Sequence, residues 1–174
     1  MLVVAATERE LAHVHGAQTF VCGIGPVEAA LQTARELARS RPDAVLHVGI
    51  AGGRGIEPLS IVLGSVSVYT DPAAAVPVIC DVEPHAGLLA RAQAAVPEAR
   101  VLPIATSAAV GGGTGFEVEA MEGFGVLRAC VLAQVPAVEL RVVANDPAEA
   151  DRANWRFDEA FAVLGDAVAR VLAA

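Results

Sequence analysis

The chain has 174 residues, a formal net charge of −8, 55% hydrophobic and 18% charged residues, and only 4% aromatic ones. That length suits one domain with a sizeable core, expected over residues 1–174. The acidic balance argues against a nucleic-acid backbone or an anionic membrane surface as partner. No apolar run is long enough to span a membrane, and no basic-then-apolar segment opens the chain. Cys22, Cys80 and Cys130 lie far apart without C-x-x-C spacing. The expectation is a cytoplasmic protein whose cysteines are small buried hydrophobes in a reducing compartment.

From the N terminus, LVVAA (2–6) reads as a buried strand and AQTFVCGIG (17–25) as a second apolar run. PVEAALQTARELARS (26–40) is a predicted helix, with Pro26 suited to its first turn. AVLHVGI (44–50) is a continuous apolar strand ending in the glycine-rich AGGRG (51–55). IVLGSVSVY (61–69) and VPVIC (76–80) follow as a long and a short strand. EPHAGLLARAQAAV (83–96) is helical, RVLPIATS (100–107) extended, and VGGGTG (110–115) a loop. FEVEA (116–120) is a strand with its acids on one side of the alternation. MEGFGVLRACVLAQ (121–134) is helical, AVELRVVAN (137–145) a strand, and WRFDEAFAVLGDAVARVLAA (155–174) the closing helix. This alternation predicts an α/β domain with helices on both faces of the sheet, and a core of Val, Leu, Ala and Ile agrees.

In such sheets ligands gather at the carboxyl ends of strands. Standing there are Thr7, Glu8 and Glu10, then Gly23 to Gly25, Ile50 to Gly53, Thr106 to Gly113, Met121 with Glu122, and Asn145 with Asp146. GIGPVE (23–28) invites a dinucleotide-binding reading, but Glu28 stands where a third glycine would let helix and sheet close up. A tight strand-to-helix turn is the better reading. AGGRG lacks the ending of a P-loop; it is either a turn or bare backbone able to approach a ribose or a small anion. His13, His15, His47 and His85 form no metal-ligand spacing. His13 and His15 read as surface loop residues, and His47 as a core histidine. Ser107 has no nucleophile-elbow context. Arg141, inside AVELRVVA, is a cation in a buried strand and requires an anion. Glu10 and Glu122 are the candidates, either in a core ion pair or in a cluster lining a pocket.

Four segments, VCGIGPVEAA (21–30), HVGIAGG (47–53), EAMEGFGVLRAC (119–130) and VPAVELRVVAND (135–146), resemble in order the signatures of the nucleoside phosphorylase/hydrolase superfamily. The resemblance is nearest to its futalosine hydrolase branch. NDPAEADRANW (145–155) is similar to that branch's N-x-V-G-x-R-D-R-x-x-W, matching at Asn145, Asp151, Arg152 and Trp155 and departing at Pro147, Ala148 and Ala150.

The resemblance implies a three-layer α/β/α fold with a central mixed β-sheet. It implies a purine nucleosidase that needs neither cofactor nor metal, takes a small purine nucleoside, and works as a homo-oligomer, a dimer or larger. The reaction would be release of hypoxanthine from futalosine in menaquinone biosynthesis. The alternatives are a methylthioadenosine/adenosylhomocysteine nucleosidase and a non-catalytic nucleoside-binding relative.

Carried over residue by residue, Glu10 positions and deprotonates the attacking water, with Arg141 as its partner. Met121 packs on the sugar and Glu122 holds its 2′-hydroxyl. Asn145 stands where adenine-specific relatives carry Asp; its carboxamide can donate to O6 or N7 of a 6-oxopurine and accept from a ring N–H. Ile50, Ala51, Gly52, Ser107 and Phe116 complete the implied substrate site, and Phe116, Phe124 or Trp155 would stack on the base. Relatives carry a longer segment in place of DPAAAVPVIC (71–80), at the pocket rim and a subunit contact.

Overall fold

The strands predicted from alternation assemble into one mixed sheet in the computed structural model, which describes residues 1–72, 77–109, 111 and 113–174. Its strands are β1 (Leu2–Ala5), β2 (Gln18–Val21), β3 (Val45–Gly53), β4 (Ile61–Tyr69), β5 (Asp81–Val82), β6 (Arg100–Thr106), β7 (Val118–Ala120) and β8 (Ala137–Asn145). The helices are α1 (Glu8–Leu11), α2 (Pro26–Ser40), α3 (Ala86–Ala95), α4 (Gly123–Leu132) and α5 (Phe157–Ala173), with a 3-10 turn at Arg152–Asn154. Among the described residues no helix is long and apolar enough to cross a membrane.

Strand order is β2-β1-β3-β7-β6-β4-β5, with β8 pairing both β3 and β4. β8 runs parallel to β3 and antiparallel to β4, while β7 joins β3 antiparallel to β6 parallel. Because β6 also pairs with β4, the strands β3, β8, β4, β6 and β7 close into a ring. Ala51, Val62, Ile104, Val118 and Val143, drawn from those strands, fill its inside.

Outside the ring the sheet is covered on both faces. Val3, Leu46, Leu140 and Val142 pack with Leu88 of α3 and Leu164 and Val168 of α5. On the opposite face Leu2, Val4 and Val45 meet Ala29 and Leu37 of α2 and Val126 and Leu127 of α4. The period-2 alternation of β1 and β3 thus divides their side chains between two helical layers, which gives the expected three-layer architecture.

The register of β3 on β8 positions the site. Val45 opposite Ala137 belongs to the α2–α4 core, and Ala51 opposite Val143 to the ring interior. Between these apolar rows fall His47 opposite Glu139 and Gly49 opposite Arg141. A charged layer is therefore built between two hydrophobic ones.

Four local features correct or complete the pattern-based expectations. Residues 77–80 of VPVIC form no strand: Val78 and Ile79 are exposed, Pro77 lacks an N–H to pair, and the ladder starts only at Asp81; residue 76 lies outside the described residues. AGGRG is not simply a turn, since β3 runs on through Gly53. Its glycines are crowded: a Cβ on Gly52 would come within 2.9 Å of the Pro147 ring, and one on Gly53 within 2.7 Å of Val143. Residues 8–11, for which the pattern predicts no element, form α1 behind a capping box in which Thr7 and Glu10 satisfy each other's backbone N–H. Cys22 and Cys130 are buried, but Cys80 is only half-buried.

Candidate active site

The capping box that starts α1 also fixes Glu10. Its Oε2 accepts from Thr7 N at 2.9 Å and Thr7 Oγ1 at 3.0 Å, and its Oε1 accepts from Ile50 N at 3.2 Å. Glu10 is thereby buried at the meeting point of β1, α1 and the exit of β3.

Glu122 immediately precedes α4 and is also buried. Its Oε1 accepts from Gly25 N at 3.1 Å, and its Oε2 lies 3.6 Å from Arg141 Nη1. Gly25 reaches this position with φ of 92°, a conformation that favours glycine. The GIG turn is therefore used: it brings a backbone donor to a buried carboxylate. Burial pushes the Glu122 carboxyl above its ordinary value, Glu10 and Glu139 add to the rise, and Arg141 and the Gly25 N–H oppose it.

Arg141 stands behind both acids and does not line the cavity. Its guanidinium donates from Nε to Glu139 at 2.8 Å and from Nη1 to the Ile50 carbonyl at 3.5 Å, and its Nη2 meets His47 Nε2. An arginine only donates, so His47 Nε2 accepts and its Nδ1–H donates to the Val4 carbonyl at 3.0 Å. Burial and the adjacent guanidinium hold His47 well below its usual range, which keeps it neutral. Arg141 and Glu10 converge over Gly49, where a Cβ would overlap both.

The expected Arg141–Glu122 contact is thus present, whereas Glu10 is held by Thr7 and Ile50 and only neighbours Arg141. Glu139 is Arg141's closest carboxylate partner, and sequence reasoning missed it. The signal was available: residues 139 and 141 share one strand face, so the cation already had an acid beside it.

Glu10 and Glu122 open onto a cavity of about 490 Å³, also lined by Met121, Ile50, Ala51, Gly52 and Asn145. Asn145, buried at the end of β8, donates from Nδ2 to the Asp146 carbonyl at 3.0 Å. Ser107 and Phe116 do not line the cavity. The Ser107 hydroxyl accepts from Ala109 N at 3.1 Å, and the Phe116 carbonyl accepts from Arg54 at 2.8 Å. Phe124 stacks on Tyr69 with centroids 5.3 Å apart, which leaves Trp155 as the expected ring that reaches the cavity.

The cavity wall also holds Arg9, Phe157 and Phe161, which sequence reasoning did not select, beside Arg152 and Trp155, which it quoted. Arg9 lies over the rings of Phe157 and Phe161 at 5.8 and 5.1 Å, Phe157 meets Trp155 at 5.5 Å, and Arg152 covers Trp155 at 5.4 Å. All five line the cavity, forming one aromatic and cationic band. The long separation of Arg9 from Phe157 and Phe161 hides that grouping in the sequence. Among the described residues no group of three or more His, Cys, Asp or Glu side chains is arranged to hold a metal ion.

This geometry has relatives. The family model of the phosphorylase superfamily matches residues 10–174. A futalosine hydrolase of Streptomyces coelicolor is 34% identical over 186 aligned residues, which cover 90% of this chain and 78% of that one. A futalosine hydrolase of Thermus thermophilus is 42% identical over 59 residues, 34% of this chain and 26% of that one. Among solved structures, a futalosine hydrolase mutant of Helicobacter pylori has the same fold with TM-score 0.89 at 16% identity, covering 99% of this chain and 97% of that one. The 5′-methylthioadenosine/S-adenosylhomocysteine nucleosidase of Colwellia psychrerythraea, in complex with adenine, follows with TM-score 0.82 at 20% identity, covering 98% and 91%. The chain belongs to the phosphorylase superfamily, as a futalosine hydrolase-like N-glycosyl hydrolase.

Proposed function

We propose that this enzyme hydrolyses the N-glycosidic bond of futalosine or a closely similar 6-oxopurine nucleoside. Hypoxanthine would be the released base and menaquinone biosynthesis the setting, as the resemblance implies. The observation that carries the reading is the pair of buried carboxylates, Glu10 and Glu122, on the wall of a cavity shared with Asn145.

Breaking an N-glycosidic bond passes through an oxocarbenium-like sugar. Glu122 is the group that faces this developing charge and takes the ribose 2′-hydroxyl, with Met121 against the sugar. A fixed carboxylate at about 4 Å contributes on the order of 4 kcal/mol at an effective dielectric near ~20. That corresponds to roughly a thousandfold in rate. Glu10 is the general base. Thr7 and Ile50 fix its carboxylate, and Oε1 keeps a lone pair for the attacking water.

Asn145 reads the base. One of its amide hydrogens is engaged by the Asp146 carbonyl, leaving the other and Oδ1 for a purine edge. The band of Arg9, Phe157, Phe161, Trp155 and Arg152 suits a 5′-substituent that is both aromatic and anionic. A small apolar 5′-group would offer neither guanidinium an anion, which weighs against a methylthio nucleoside.

The same reading makes the protein one domain, cytoplasmic and self-associating. Ile24, in the turn before α2, and Val27 and Leu31 on α2 are 62%, 67% and 64% exposed, and Ile24 also lines the cavity. An apolar stripe of this kind supports a face that packs against a second copy.

The test is incubation with futalosine, inosine and methylthioadenosine, each with and without phosphate, following free base. Hypoxanthine released from futalosine independently of phosphate is expected. Faster release of adenine from methylthioadenosine, a requirement for phosphate, or no release at all would each overturn the proposal.

A further inference from the structure

Glu139 is fully buried on β8 and does not line the cavity, yet it grips the guanidinium that backs the two cavity acids. Its Oε1 accepts from Arg141 Nε at 2.8 Å and its Oε2 from Ser67 Oγ at 2.8 Å. His47 occupies Nη2 on the same closed side. With those positions filled, Nη1 remains directed at Glu122 Oε2, 3.6 Å away, and at the Ile50 carbonyl. The approach is close: a Cβ on Gly123, the residue after Glu122, would overlap both Glu139 oxygens and come within 2.5 Å of Ser67 Oγ.

We propose that Glu139 is a positioning residue of the hydrolase: with Ser67 and His47 it fixes Arg141 from behind, and through Arg141 it fixes Glu122 at the cavity wall. The kinetic consequence rests on the nucleosidase reading above; the geometric one does not.

The cluster is unbalanced in charge. Glu10 from α1, Glu122 ahead of α4 and Glu139 from β8 surround the single guanidinium of Arg141, and the other facing titratable groups are Cys22 and His47. Burial pushes the Cys22 thiol up to about 12, with Glu122 adding to the rise, and His47 is held neutral; neither supplies charge. The Glu139 carboxylate therefore acts on Glu122 in two ways. It anchors the guanidinium that favours the charged form, and its own negative charge adds to the burial that disfavours it.

Glu139→Gln separates the two, because the amide still accepts from Arg141 but carries no charge. Carbon-13 NMR of glutamate-labelled protein reads the effect directly, with the Glu122 carboxyl assigned by its disappearance in Glu122→Gln. We expect the Glu122 titration midpoint to move to lower pH in Glu139→Gln, and, because a neutral amide holds the guanidinium less firmly than a carboxylate, kcat to fall about tenfold with KM within about twofold. An unchanged midpoint in the folded variant overturns the proposal. Should Glu139→Gln fail to fold, Ser67→Ala keeps the charge and frees one oxygen of Glu139. Reduced kcat at constant KM is then expected, and parental kcat overturns the proposal. If the unaltered protein hydrolyses none of the nucleosides, the proposed function fails while the titration still decides this inference.

Discussion

Two charged regions of this protein differ in what water can reach. In the layer between β3 and β8, Arg141, Glu139 and His47 have no exposed surface at all. At the cavity band, Arg9 pairs with Asp158 at 3.1 Å, but the two side chains are 65% and 93% exposed. Exposed pairs of that kind contribute about 0–1 kcal/mol and are easily exchanged for another anion. Buried charges cost far more to desolvate and are destabilising to break. The inner layer therefore has one arrangement, suited to holding reacting groups still, whereas the band is free to rearrange around a substrate. Substitutions in the first should alter turnover, and substitutions in the second should alter affinity.

The largest effect that would break this contrast is at Glu10. Glu10→Gln is expected to abolish hydrolysis, a loss of more than about a thousandfold, while a base or analogue still binds with near-parental Kd. Parallel loss of binding, measured by calorimetry, would mean that Glu10 serves structure alone.

Glu122→Gln is expected to lower kcat by about a hundredfold or more. Its stability should move the other way. Burial raises the folded-state value of Glu122 above that of the unfolded chain. The folded state then binds that proton more tightly, so this group adds stability as pH falls through the raised value and opposes folding once ionised. The neutral variant should accordingly show a Tm at neutral pH no lower than the parent, and the parent should lose activity on the acid side at a higher pH than an ordinary carboxylate would impose.

Asn145→Asp sharpens the comparison, since residue 145 sits where the buried layer meets the cavity. The ratio of kcat/KM for inosine-type over adenosine-type substrates should fall by about tenfold or more, because an ionised Asp cannot donate to O6. An unchanged ratio would remove Asn145 from the base. The smallest effect belongs to the band: Arg152→Ala should raise KM for futalosine several-fold, about 1 kcal/mol, with kcat, Tm and inosine KM near parental values.

Much of this was legible in the sequence because it rests on local pattern. The strands and helices follow from alternation and from Pro26 at a helix start, and the acid–cation problem of Arg141 was visible from its apolar surroundings. What escaped depends on long-range pairing. The three-residue β7 closes a ring with β3 through only Gly52 and Gly53, and no local periodicity announces such a closure. Ser107 and Phe116 lie next to the site in sequence, yet their groups bond to nearby backbone and to Arg54 instead. Glu139 was overlooked as one acid in an apolar strand, although its i,i+2 spacing from Arg141 placed the pair on one face.

The most direct measurement is release of hypoxanthine from futalosine, without phosphate, by the unaltered protein and by Glu122→Gln in the same assay. Steady hydrolysis by the first and a fall of about a hundredfold or more in the second is the expected result. No hypoxanthine from the unaltered protein, or turnover by the variant within a few-fold of it, would contradict the assignment of the buried carboxylates to this chemistry.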